Sequence, residues 1–278
     1  MNRKLYHLVV LLWVAIAHPV SSFAQDRSAI EIVPNISHTD DIHSIALSFD
    51  GKRVLSGGRD GTVKLWDVFS GALVRPFYGG EDTRDSVKGV ALSGDGNRAL
   101  SAAGRTIKLW NMHTGDLIRS QDILEELTSV AFSPDGMLAA VGNPAYKVMV
   151  WEVMTGKVKH ILEGHAVTVK SIAFSSDGTR ILSAGADGTI LTWNALSGVR
   201  TGTFTGHAAS INSVTFSIDG SRIVSGSGDG INSKDNTVRL WNAATGELLR
   251  IVKAEVTKLM RLQCHQMVCA SPLPAIGL

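Results

Sequence analysis

Three stretches of this chain carry His, Ser, Asp and Trp in the same order. They are His38, Ser56, Asp60 and Trp66; His165, Ser183, Asp187 and Trp193; and His207, Ser225, Asp235 and Trp241. Ser, His and Asp are the makings of a nucleophilic triad, in which the imidazole takes the hydroxyl proton and the carboxylate orients the imidazole. The spacing points elsewhere. In every set the Asp stands six residues before the Trp, and the His twelve before a second Asp (Asp50, Asp177, Asp219). A triad is needed once, beside an oxyanion hole, whereas a structural network is needed in each repeat of a fold. Copies in register therefore read as structure, and no catalytic residue is assigned.

Two other groupings invite metal chemistry. Asp229, Asn232 and Asp235 lie in a long turn, GSGDGINSKDN, but lack the alternating Asp spacing of a calcium loop. That turn reads as a solvated hairpin extension. Cys264, His265 and Cys269 sit together near the C-terminus, at a spacing that fits no usual structural zinc site. No phosphate-cradling Gly loop, His-Glu-x-x-His helix or nucleophile elbow occurs. No metal and no cofactor are expected.

The elements that must hold these residues are short strands. Gly is 28 of 278 residues and Pro only 7, which means many tight turns. Five of the six Trp, at 66, 110, 151, 193 and 241, are separated by 44, 41, 42 and 48 residues, and each has a Gly five residues on. A second series, Ser-x-Asp-Gly, begins at Ser48, Ser93, Ser133, Ser175 and Ser217. Two markers in one register define five repeats. In the fourth, VKSIAFS, RILS, TILTW and the run from Val199 to Phe204 are strands, broken at Asp177-Gly178, Asp187-Gly188 and Ser197-Gly198. Asp-Gly tolerates the positive φ that a tight hairpin needs. A lone four-stranded sheet cannot cover its apolar faces, so the units must stack. About 42 residues and four strands per unit is the signature of a β-propeller blade.

At this point the sequence resembles the WD-repeat (WD40) β-propeller family over residues 37–253. Gly164-His165 and Gly206-His207 match the family's Gly-His start, and Ser37-His38 is a near variant. Trp66-Asp67 matches its Trp-Asp end; Trp110-Asn111, Trp193-Asn194, Trp241-Asn242 and Trp151-Glu152 depart from it by degrees. The resemblance implies that the three His, Ser, Asp, Trp sets are structural tetrads that lock blades. Units two and three depart. Gly104 and Thr83 stand at the Asp and His positions of unit two; Ala145, Ile123 and Val141 replace Asp, His and Ser in unit three. Ser101, Trp110 and Trp151 remain as partial markers.

The resemblance further implies a non-catalytic scaffold for protein partners. A rim for them would carry His43, Lys88, Thr128, Lys170 and Asn212 at one repeated position of the first strand, with Arg59, Ala186 and Lys234 before the second-turn Asp. The rival readings are a propeller enzyme or small-molecule binder using the central channel, and a truncated paralogue without its own function. First strands rich in Val, Ile, Ala and Ser disfavour an enzyme.

The chain opens with Arg3 and Lys4, an apolar run from Leu8 to Ala17, and Ser22 and Ala24 before Gln25, which is the pattern of a cleaved signal peptide over residues 1–24. An apolar run of about ten residues is too short to span a ~30 Å hydrocarbon core, so no stable membrane span is expected after cleavage. Removing 1–24 takes two positive charges from 27 against 25 acidic residues, leaving none in excess. Nucleic-acid binding therefore has no basic signal. Export to a bacterial periplasm or medium is expected. Residues 25–36 read as an N-terminal strand segment. Units follow at 37–79, 80–121, 122–163, 164–205 and 206–253, and residues 254–278 form a non-repeat tail. The fold expected is all-β, with five four-stranded blades in either an open, incomplete ring or a strained closed one. An open ring would expose apolar faces and favour self-association.

Overall fold

The computed structural model describes residues 37–77, 85–123, 125–228 and 235–253. Residues 1–24, where a signal peptide is expected, the segment 25–36, residues 254–278, and Thr83, Asp229, Asn232 and Lys234 lie outside the described residues.

The described residues form strands, with no helix among them. Blade one holds β1 (Ile42–Leu47), β2 (Arg53–Gly58), β3 (Val63–Asp67) and β4 (Leu73–Phe77). Blade two holds β5 (Val87–Leu92), β6 (Arg98–Ala103), β7 (Thr106–Asn111) and β8 (Leu117–Asp122). Blade three holds β9 (Ser129–Phe132), β10 (Leu138–Gly142), β11 (Lys147–Glu152) and β12 (Val158–Glu163). Blade four holds β13 (Val169–Phe174), β14 (Arg180–Gly185), β15 (Ile190–Asn194) and β16 (Arg200–Phe204). Blade five holds β17 (Ile211–Phe216), β18 (Arg222–Ser227), β19 (Thr237–Asn242) and β20 (Leu248–Lys253). Each blade is one antiparallel sheet with its strands in chain order.

The first turn of every blade closes the same way. The Ser hydroxyl donates to the Asp two residues on, at 2.5–2.6 Å. That carboxylate also accepts the backbone N–H two residues further on, at 2.9–3.1 Å. The Gly between them takes φ of 65–71°, the left-handed region where a Cβ is costly. This is why Ser-x-Asp-Gly recurs.

The core lies between blades. Four apolar clusters match the four junctions. The first joins Leu55, Leu65 and Phe77 of blade one to Val87, Val90 and Trp110 of blade two. The last joins Leu182, Ile190 and Phe204 of blade four to Ile211, Val214 and Trp241 of blade five. The Trp of blades two, four and five thus shares a cluster with the fourth strand of the blade before it; Phe77 and Trp110 meet edge-on at 5.5 Å, Phe204 and Trp241 at 6.0 Å.

The stacking runs from blade one to blade five and stops. Val252 of β20 is 53% exposed, whereas Phe77, Leu162 and Phe204, at the same register position, are 2–4% exposed. On the opposite end Val68 is 44% exposed, against 2–8% for Met112, Val153 and Ala195. Among the described residues the five blades therefore form an open arc rather than a strained closed ring.

Candidate functional site

Blade register builds the locks. In blade four Ser183 pairs with Leu191 and Ile181 with Trp193, so Ser183 and Trp193 are diagonal neighbours on one face. Trp193 Nε1 donates to Ser183 Oγ at 2.9 Å, and His165 Nε2 lies 2.8 Å from the same oxygen. Blade five repeats this, with Trp241 and His207 2.8 and 2.7 Å from Ser225 Oγ and His207 Nδ1 2.7 Å from Asp235. Blade one has Trp66 and His38 2.7 and 2.6 Å from Ser56 Oγ, and His38 Nδ1 2.9 Å from Asp60. In blade four the His165–Asp187 separation widens to 3.6 Å.

Indole N–H can only donate, so the Ser oxygen accepts from it. Burial favours the neutral imidazole, since it lowers the three His below their ordinary value against the raising pull of the paired Asp. In that neutral state the Ser O–H donates to His Nε2, and Nδ1–H donates to the carboxylate. For Asp60 burial acts to raise the value, but hydrogen bonds from His38, Thr62 and Thr39 together outweigh it and bring the carboxyl to about 2. Ser183 and Ser225 are fully buried with both hydrogen-bonding roles engaged. A serine in that state has neither access nor a free proton path for attack on a substrate.

The departures expected in blades two and three have structural consequences. Trp110 still donates to Ser101 Oγ at 2.9 Å. Beside Gly104 the Asp85 carboxylate crowds the space a Cβ would take. In blade three the Trp151 indole N–H is buried with no partner, because Val141 offers no hydroxyl. Ile123 joins the apolar cluster in place of a His. Asn143 closes the second hairpin instead, accepting from the Lys147 N–H at 3.0 Å and donating to Glu125. Tyr146 there takes φ of 73°, where blades one and four use Gly61 and Gly188.

The expected rim residues occupy one structural position. His43, Lys88, Lys170 and Asn212 each sit where the pairing of the first two strands slips by one residue, a β-bulge. Thr128 immediately precedes β9. Neighbouring blades bring Lys88 Nζ to 3.5 Å from His43 Nε2. Lys88, Lys170 and Arg59 are exposed, and Arg59 lies 3.9 Å from Asp40. Thr128 and Asn212 are tied into the scaffold instead, donating to the carbonyls of Val169 and Gly228. Ala186 is half-buried. The rim is therefore mildly basic and irregular.

A second surface was not foreseen. The opposite ends of the first strands converge on a cavity of about 330 Å³. Leu47, Leu92, Phe132, Phe174 and Phe216, one from each blade, line it, together with the turn residues Phe49, Pro134 and Ile218. Phe49 is 67% exposed. The signal was present: each of the five precedes the Ser of a Ser-x-Asp-Gly turn. A single unit, however, does not show that they meet.

Five stacked four-stranded blades, three of them clamped by a buried Asp–His–Ser–Trp chain, define a β-propeller of lock-bearing repeats. The description "WD domain, G-beta repeat" matches residues 32–67, 72–111, 156–194 and 198–242, more than half of the sequence. The chain belongs to the WD40 family. The unmatched stretch between the second and third segments holds β9–β11, where the lock is missing. Relatives include the periodic tryptophan protein 2 homolog of Dictyostelium discoideum, 28% identical over 147 residues, covering 50% of this chain and 15% of that protein. Autophagy-related protein 16 of Arabidopsis thaliana is 24% identical over 176 residues, 49% of this chain and 35% of its own length. A guanine nucleotide-binding protein subunit beta of Zea mays is 31% identical over 132 residues, 44% and 34% respectively. The chain thus spans about a third or less of each of these proteins.

Proposed function

We propose that this chain is an exported, non-catalytic WD-repeat platform that seats protein partners on the apolar mouth of its central channel. The observation that carries the reading is the convergence of one large apolar residue from each blade on a cavity rimmed by the exposed Phe49. An apolar site of that size, on a frame held by four buried junctions, suits a protruding apolar side chain of a partner. The maize relative's name, that of a subunit, also fits a part in an assembly. The leader pattern of residues 1–24 supports export to a periplasm or medium. The buried, fully engaged serines argue against hydrolysis. A small apolar ligand is the second reading, favoured by the cavity volume.

The test is affinity capture from the exported fraction with wild-type chain, Phe49→Asp and Lys170→Glu. A partner retained by wild type and by Lys170→Glu but lost with Phe49→Asp supports the mouth. Equal capture by Phe49→Asp, or none by wild type, refutes it; in the latter case native mass spectrometry reads whether a small ligand fills the cavity instead. Intact-mass analysis of the exported protein reads cleavage before Gln25.

A further inference from the structure

The two end faces of the arc are the two halves of one interface. Each internal junction joins the front of one blade to the back of the next. Besides the apolar cluster, polar clasps cross the junctions, one type at three of the four and a second type at the junction of blades four and five. In the first, a fourth-strand side chain donates to the carbonyl three residues after the next blade's Trp. Arg75 reaches His113 O at 2.9 Å, Arg119 reaches Met154 O at 2.8 Å, and His160 reaches Leu196 O at 2.7 Å. In the second, Arg180 at the start of β14 donates to Gly220 O in the next blade's first turn at 2.7 Å.

Blade five carries the donors of both clasps with no neighbouring blade among the described residues to receive them. Arg250 pairs with Leu240 as Arg75 pairs with Leu65, Arg119 with Leu109 and His160 with Val150. Arg222 opens β18 as Arg180 opens β14. Both are exposed, and Arg222 has the Asp219 carboxylate of its own first turn as a nearby charge. Blade one carries the acceptors. Phe69, three residues after Trp66, is wholly exposed, and Gly51 stands in its first turn where Gly220 stands in blade five. The apolar halves match too. The front of blade five offers Val224, Val238, Leu240 and Val252. The back of blade one offers Trp66, half-buried where the other four blade Trp are 2–5% exposed, with Ile42 and Val68.

We propose that this chain associates head to tail with a second copy of itself, the front of blade five in one copy docking on the back of blade one in the other. Arg250 then donates to Phe69 O and Arg222 to Gly51 O of the other copy, while Val252 covers Trp66. The contact is heterologous, so it continues copy by copy until the assembly closes on itself or grows as a filament. Val224 also borders the channel mouth, whereas the two arginine clasps, Val252 and Trp66 do not line it, so the contact stands whatever binds there.

Val252→Asp blocks the front and Val68→Asp the back, both at exposed positions that leave the four internal junctions intact. Analytical ultracentrifugation of the full chain across concentration is expected to give at least twice the single-chain mass for wild type. Each variant alone is expected to sediment as one chain. A mixture of the two is expected to form a two-chain species and nothing larger, because only one complementary pair of faces remains. Circular dichroism and a cooperative melt check folding, and Arg250→Glu replaces Val252→Asp if that variant fails to fold. Three results overturn the proposal: wild type of single-chain mass at every concentration, as when its own tail or leader covers the faces; a blocked variant that still self-associates; or a mixture that stays at single-chain mass.

Discussion

Removing the serine hydroxyl from a complete lock and from a partial one should cost different amounts, and the difference follows from the number of polar groups stranded. Ser183→Ala leaves two buried groups without a partner, the Trp193 N–H and His165 Nε2. Ser101→Ala leaves one, the Trp110 N–H. A buried group deprived of its partner costs about 1–3 kcal/mol. The complete lock should therefore lose about 2–6 kcal/mol and the partial one about 1–3 kcal/mol, roughly twofold less. Both serines are almost wholly buried and lie on second strands in the same register to their Trp-bearing neighbours, so packing losses are alike. For a domain of this size each kcal/mol moves the melting midpoint by about 2–4 °C. Urea unfolding followed by far-UV circular dichroism, with unchanged slope, reads the two losses directly. Equal losses for the two variants, or less than about 1 kcal/mol for Ser183→Ala, would show that the imidazole contributes nothing through its serine.

Acid should loosen the propeller in two stages. Burial keeps His38, His165 and His207 below their ordinary 6.5, so the folded state binds fewer protons than the unfolded one just below that pH, and stability falls as pH drops through it. Asp60, held at about 2 against an ordinary 3.8, adds a second loss between those two values. A urea midpoint that is flat or rising between pH 7.5 and pH 3 contradicts this. In blade three, Trp151→Phe removes an indole N–H that has no partner, whereas Trp193→Phe breaks a lock bond. The first should cost less than the second by about 1–2 kcal/mol, and identical denaturation midpoints for the two variants would contradict it.

The blade plan and the locks were legible in the sequence because each is made within one repeat. The first turn needs Ser, Asp and Gly within four residues, and the tetrad needs His, Ser, Asp and Trp within about thirty, so local chemistry leaves a periodic mark. The same mark showed where the lock fails, at Gly104, Ala145, Ile123 and Val141. The sequence did not reveal what takes over there: the Asn143–Glu125 clasp, Tyr146 at positive φ, and the stranded Trp151 N–H. Those depend on what lies next to the missing group in space.

Everything made between repeats was decided by the tertiary structure. Thr128 and Asn212 carry the residue types of a binding rim, yet stacking and the local turn tie both to backbone carbonyls. Phe132, Phe174 and Phe216 read as ordinary strand residues until the blades bring them around one cavity with Leu47 and Leu92. The open ring was an alternative in the sequence. The exposure of Val252 and Val68 settles it for the described residues, because burial of a blade face depends on a neighbouring blade and not on the residues of the face itself. The sequence thus determined what each blade is, while stacking alone determined which surfaces remain for a partner.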